Sequence, residues 1–213
     1  MKKLFLLAAA AISMAQAPAP TRPALLYKED WKQPPYTGTL NDENRRVTQD
    51  AIANPNLELK LYGADVKEVG VYNHEGRFDL WNGIVTSPVA ILLRHKTSSV
   101  DLTGLARLRA VVRTMALHSL CPVVRLADGS YVAGSRCINT DGEFLTTEVA
   151  FSGMRWFKFD PARVTTGAEV KDPNLSKVDE VGFADLAPGG GHGVSGAMNI
   201  STVELFAKPV ARQ

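Results

Sequence analysis

The sequence predicts an all-β protein built as a two-sheet antiparallel sandwich. Three observations carry this expectation. Nine short β-type runs follow one another, separated by Gly, Pro, Asn and Asp. The run Arg107–Thr114 alternates, with Leu108, Ala110 and Val112 pointing one way and Arg107, Arg109 and Arg113 the other. Beyond Asn56 no amphipathic helical pattern of useful length appears.

Taken in order, the chain opens on a basic trio (Met1, Lys2, Lys3), an apolar run from Leu4 to Ile12 and small-x-small cleavage motifs at Ser13–Ala15 and Ala15–Ala17. This pattern is that of a bacterial-type secretory signal peptide, 1–15, with cleavage after Ala17 as the alternative. It implies a periplasmic or extracellular protein with no membrane insertion once the leader is removed, since the apolar run is about half the roughly 20 residues that a spanning helix needs. The segment 16–56 then reads as a Pro-rich arm (PAPTRP and QPPYTG) followed by one short helix within Leu40–Ala53, which Asn54-Pro55 ends.

The sandwich itself is expected over 57–213. Its strands are Leu57–Leu61, Val89–Arg94, Arg107–Thr114, Cys121–Leu126, Tyr131–Cys137, Phe144–Phe151, Arg155–Asp160, Val178–Asp185 and Ile200–Ala207. Cys121 and Cys137 flank a hairpin with an Asp-Gly turn. If Asp128, Gly129 and Ser130 form its loop, the two cysteines lie opposite each other and a disulfide can close, as an oxidising compartment permits. A two-residue loop would instead shift the register by one and send the two side chains to opposite faces.

Charge narrows the partners. The chain carries 24 Lys+Arg against 22 Asp+Glu, and without Lys2 and Lys3 it is neutral. A neutral chain has no global field for a polyanion, which argues against nucleic acid. Metal chemistry finds little support: His74, His95, His118 and His192 show no zinc spacing, so no metal site and no cofactor are expected. Structural calcium stays open, with Glu29, Asp30, Asp79 and Asp141 as available carboxylates.

Two segments attract attention as sites. NHEGRFDLWNG (Asn73–Gly83) reads as a long loop, in which Trp81 would give an aromatic face and Asp79 a polar grip, the chemistry of sugar recognition; the alternative is that Trp81 caps the core. The glycine-rich stretch around His192 formally contains G-x-G-x-x-G, but a β-like run rather than a helix follows, so the dinucleotide reading fails. It reads as a plain crossing between strands, or as a ligand loop carrying His192 with Asp185 upstream. Arg109, Arg113 and Arg125 are expected to be collinear on a wet strand face, either simply solvated or forming the floor of a binding groove.

The tract Val100–Ala207, with VDLTGLARLRAVV, FSGMRWFKFDPARV, LSKVDEVGFAD and STVELFAKP, resembles the galactose-binding-domain-like jelly rolls, carbohydrate-binding-module-like secreted bacterial sandwiches. The resemblance implies a jelly-roll sandwich and a carbohydrate or other polyhydroxylated ligand. The leading expectation is therefore a carbohydrate-binding protein without catalysis, contacting its ligand through Trp81, Asp79, Arg113, Arg125 and His192. One alternative is a small secreted enzyme acting on glycosides, a hydrolase or a lyase, with Asp185 or Asp79 as acid/base and His192 assisting. Another is a cell-surface structural or interaction domain.

Overall fold

Strict alternation in Arg107–Thr114 becomes strict alternation of burial: Leu108, Ala110, Val112 and Thr114 are buried, while the three arginines and Val111 are only partly so. A strand of that kind needs a core on one side and water on the other. The computed structural model describes residues 21–187 and 196–212 and shows the expected all-β, two-sheet antiparallel sandwich. The signal-peptide segment and His192 lie outside the described residues.

In chain order the strands are β1 (Leu25–Glu29), β2 (Leu57–Tyr62), β3 (Gly70–His74), β4 (Arg77–Trp81), β5 (Val89–His95), β6 (Ser98–Asp101), β7 (Arg107–Thr114), β8 (Leu120–Leu126), β9 (Tyr131–Gly134), β10 (Leu145–Ala150), β11 (Trp156–Asp160), β12 (Thr165–Val170), β13 (Val178–Asp185), β14 (Met198–Phe206) and β15 (Lys208–Ala211). The front sheet runs β10-β7-β14-β4-β3, with β1 also paired to β14. The back sheet runs β12-β11-β9-β8-β13-β5-β2, with β6 on β13 and β15 on β6. The core between them gathers Leu80, Leu108, Val112, Leu120, Val181, Phe183 and Leu205, among others.

The two sheets differ on their outer sides. Part of the outer side of the back sheet is apolar, with Ala90, Leu92, Val123, Ala133 and Ala184, and these pack with Phe159 and Val164 from either end of the β11–β12 turn. The outer side of the front sheet keeps the polar row of β7.

Two sequence expectations are corrected. The arm is not outside the fold: Leu25–Glu29 is a strand of the front sheet, and Tyr27, Trp31, Val47, Ala51 and Ile52 join the core. Within it the expected short helix is present as a single turn, α1 (Asp42–Arg45), capped reciprocally by Asn41 and Asn44, and a 3₁₀ turn at Gln49–Ala51 follows. Asn73–Gly83 is not a long loop but the β3–β4 hairpin. Glu75 and Gly76, both at positive φ, form its two-residue turn, and a glycine at the second position is what that turn favours.

The disulfide Cys121–Cys137 is present, with Cα atoms 4.0 Å apart, but the hairpin reaches it in a different register. Arg125 pairs with Tyr131, so the loop is Ala127-Asp128-Gly129 rather than 128–130. β9 ends at Gly134, and an irregularity at Ser135-Arg136 restores the offset, so that Leu120 bridges Ile138. Cys121 then meets Cys137.

Candidate functional site

Strand register decides which side chains share the open face of the front sheet. On β7 these are Arg107, Arg109, Val111 and Arg113, and β14 sets Phe206, Glu204, Thr202 and Asn199 opposite them in that order. Asn199 and Thr202 are three residues apart yet face the same side, because a bulge absorbs Ser201. Trp81 of β4 pairs with Asn199, so Trp81, Asp79 and Arg77 continue the face, followed by Tyr72 and His74 of β3. On the other flank β10 contributes Thr146 and Glu148, with Phe144 just before it.

A trough crosses this face. Val111, Thr146 and Thr202 are its short floor residues, Lys28, Arg109 and Glu204 stand on one side, and its volume is about 360 Å³. Two residues further along β7, roughly 6.8 Å away by strand geometry, Arg113 and Phe144 stand on the opposite side, with Asn199 buried beneath them. Arg109 is bonded to Glu204, and Arg107 Nε donates to Glu148 at 2.9 Å. Arg113 Nε donates to the Asn199 amide oxygen at 3.0 Å.

Beyond the trough lies an aromatic pair. Trp81 and Tyr72 meet edge to face, with ring centroids 5.0 Å apart. The rings lie back over Gly83 and Gly70: a Cβ on Gly83 would overlap the Trp81 ring, and one on Gly70 would fall 2.5 Å from the Tyr72 ring. Tyr72 donates to Asp42 at 3.0 Å. Burial first, then that bond, push its phenol up to about 12. Trp81 is half-buried, not an exposed loop indole.

Asp79 lies under this surface with no exposed area. His74 Nδ1 is 2.5 Å from its Oδ2, and Asn199 donates to its Oδ1 at 2.7 Å. Burial raises its carboxyl above the usual aspartate range, against the opposing pull of Asn199, His74 and Arg113. Any contact with a ligand therefore passes through His74, whose side chain is 41% exposed. The carboxyl holds its proton more tightly in the folded chain than in the unfolded one, so this group favours folding most below the unfolded aspartate range and loses that contribution as pH rises through the folded value. We expect Asp79→Asn to be more stable than wild type at neutral pH, because the amide keeps the Asn199 bond and can donate to His74 Nδ1. The gain should vanish in acid, a trend that urea denaturation across pH measures; a variant less stable at neutral pH would refute it.

Asp185 has the same surroundings in a different place. It is fully buried at the end of β13, with His118 Nδ1 2.6 Å away and Asn82 donating to it at 2.7 Å. Asn82 follows β4, and its amide oxygen also accepts from Met198 N–H at 2.7 Å. The trio thus ties the front sheet to the back one. Both carboxylates expected as acid/base residues are held beneath a histidine and an asparagine.

Arg125 stands apart from Trp81, Asp79 and Arg113. It lies on β8 of the back sheet, 3.3 Å from Asp179 and 3.9 Å from Glu180. Glu180, buried, accepts from Tyr62 at 2.6 Å, and Tyr62 shares a hydrogen bond with Tyr131 at 2.8 Å. The calcium candidates are likewise dispersed. Glu29 accepts from three backbone N–H groups, Asp30 pairs with Lys28 at 2.8 Å, and Asp141 sits in a turn at positive φ. Among the described residues no three His, Cys, Asp or Glu side chains form a metal-binding group, and no helix is long and apolar enough to cross a membrane.

Sequence reasoning passed over Tyr72, Phe144, Asn199 and Thr202, and met Arg77 only as a neighbour of Trp81 in the supposed loop. The signal for Arg77 was present in RFDLW, where Arg77, Asp79 and Trp81 alternate with Phe78 and Leu80. The others depend on pairings between distant strands.

No family model matches the chain, and neither does any curated protein. Among solved structures it is similar to the family 11 carbohydrate-binding module of the cellulosomal cellulase Lic26A-Cel5E of Clostridium thermocellum, at 10% identity and a TM-score of 0.43, over 73% of this chain and 85% of that one. A family 11 module from the same organism, in complex with a β-1,3-1,4-mixed-linked tetrasaccharide, gives 10% identity and a TM-score of 0.42 over 72% and 85%. An exo-β-agarase gives 11% identity and a TM-score of 0.40, over 79% of this chain and 24% of its own.

Proposed function

We propose that the chain is an exported carbohydrate-binding sandwich without catalysis of its own, and that the trough on the front sheet receives its ligand. The observation that carries this reading is the trough's composition. Short hydroxylated and apolar floor residues lie between planar hydrogen-bonding side chains, Arg109 with Glu204 on one side and Arg113, seated on the buried Asn199, on the other, and the Trp81–Tyr72 pair extends it. Pyranose rings offer C–H faces and fixed hydroxyls, which this mixture suits. Export is supported by the leader pattern and by the disulfide. Absence of catalysis is supported by the state of the carboxylates: Glu204 and Glu148 are each bonded to an arginine, and Asp79 and Asp185 are buried. No cofactor enters the proposal.

The test is a glycan array read together with release of reducing ends from the same panel. Binding without release is expected. Val111→Met, which lengthens a floor side chain without changing charge, should weaken binding about tenfold, or ~1.4 kcal/mol, while leaving thermal unfolding nearly unchanged. Equal binding by wild type and Val111→Met would remove the trough from the reading. A second reading, a glycoside-cleaving enzyme, is favoured by one observation: buried Asp79 orients the half-exposed His74 as a carboxylate orients a catalytic base. Turnover lost in His74→Gln would establish it over the first.

A further inference from the structure

The arginines of the front face are unequally matched. Arg107 and Arg109 each face a cross-strand carboxylate, Glu148 and Glu204. Lys28 has Asp30, and Arg46 has Glu68. At the Trp81 end the pattern stops. Arg113 is bonded to a neutral amide, Asn199. Arg77 is exposed and, among the described residues, has no carboxylate partner. Both guanidinium groups lie 4.8 Å from the centre of the Phe144 ring, which fixes their planes by cation–π contact and leaves N–H edges free.

The surrounding acids do not compensate them fully. Asp79 feels the charge of Arg113, but it is buried, and its two oxygens are taken by His74 and Asn199. Glu75 at the hairpin tip and Glu143 beside Phe144 are exposed, and neither bonds to Arg77 or Arg113. Two guanidinium groups held around one ring, at the mouth of a trough, form a receptor for a planar anion, because the guanidinium fork matches a carboxylate in geometry as well as charge. Sugar hydroxyls alone would cover these groups without neutralising them.

We infer that the ligand of the front face is an acidic oligosaccharide, with a uronate carboxylate received between Arg77 and Arg113. This rests on the carbohydrate-binding reading of the same face and adds the charge class of the sugar. A second basic region provides an internal control: Lys158, Lys171 and Lys177 line a separate cavity of about 600 Å³ beside β9 and β11 of the back sheet.

The experiment is titration calorimetry with tetragalacturonate and tetramannuronate, using their methyl esters as neutral twins, on wild type, Arg77→Gln, Arg113→Gln and the Lys158→Gln/Lys177→Gln double variant. The acids should bind more tightly than the esters and lose affinity as salt rises. Arg77→Gln should weaken the acids about tenfold or more while leaving the esters unchanged, and Arg113→Gln, whose side chain also walls the trough, should weaken the acids more than the esters. The lysine double variant should behave as wild type. Arg77 is exposed, so Arg77→Gln keeps the test clear of any loss of folding in Arg113→Gln. Acids and esters bound alike, with Arg77→Gln silent, would overturn the inference and leave the sugar-binding reading standing. Loss confined to the lysine variant would overturn it by placing the anion on the back sheet. Absence of binding by acids, esters and the neutral array together would overturn the parent reading as well.

Discussion

Glu29→Ala is expected to destabilise the protein by about 3–5 kcal/mol, because it removes the charged acceptor of three backbone N–H groups at once. Glu29 ends β1 and has no exposed surface. Its Oε1 accepts from the N–H groups of Trp31 (2.8 Å) and Ala53 (2.7 Å), and its Oε2 accepts from that of Asn54 (3.0 Å). Hydrogen bonds to a charged group contribute about 1.5–3 kcal/mol each, and a donor stranded in the interior costs the desolvation it can no longer offset. The bonds also hold Trp31 in place, buried at a positive φ that a bulky side chain adopts only when its surroundings impose it. Glu29→Gln should fall between, since its amide group presents a donor to one of the three N–H groups. Urea denaturation measures both variants, and a loss below about 0.5 kcal/mol for Glu29→Ala would show that the carboxylate does not anchor the segment.

Removing the disulfide, by Cys121→Ser with Cys137→Ser or by reduction, should cost about 3 kcal/mol, the chain-entropy value for a loop of this size; the two cysteines are 16 residues apart. For a chain of this length that lowers Tm by roughly 6–12 °C. The effect should exceed that of many engineered bridges, because this one adjoins a ladder that already holds the cysteines together: Leu120 and Ile138 exchange both backbone bonds at 2.9 Å. The segment after it is tied to the β7–β8 loop by Asn139 donating to His118 O at 2.9 Å and to the end of β7 by Thr140 bonding to Thr114. Protection of these amides from hydrogen exchange should fall with the bridge. An unchanged Tm in reductant would reject the assignment of stability to it.

The strands legible in the sequence were those with a buried apolar period, such as Arg107–Thr114, or a continuous apolar run, such as Val89–His95. Those missed are mostly strands that show little apolar content: Thr165–Val170 is almost wholly exposed, Ser98–Asp101 and Lys208–Ala211 pair at the margin of the back sheet, and Gly70–His74 is rich in turn residues. The hairpin Asn73–Gly83 was misread because its polar outward residues hide a period of two. Trp81, Asp79 and Arg113 were each visible as chemistry, but what joins them is Asn199, which lies 120 residues from Asp79. No local pattern reports such a pairing, nor the bulge that absorbs Ser201. The disulfide was reached from the residue types and an approximate register, and the irregularity at Ser135-Arg136 made up the difference.

The bulge in β14 also divides one strand edge between two occupants. Residues 199 and 200 pair with the hairpin strand β4, residues 203 to 206 pair with β1, and between them Ser201 Oγ donates to Phe78 O at 3.1 Å. Undocking of β1 would therefore bare the Val203–Phe206 backbone while the hairpin stayed attached. An uncovered edge of that kind accepts strands from other copies of the chain. Glu29, which fastens the far end of β1, thus protects the protein against self-association as much as against unfolding.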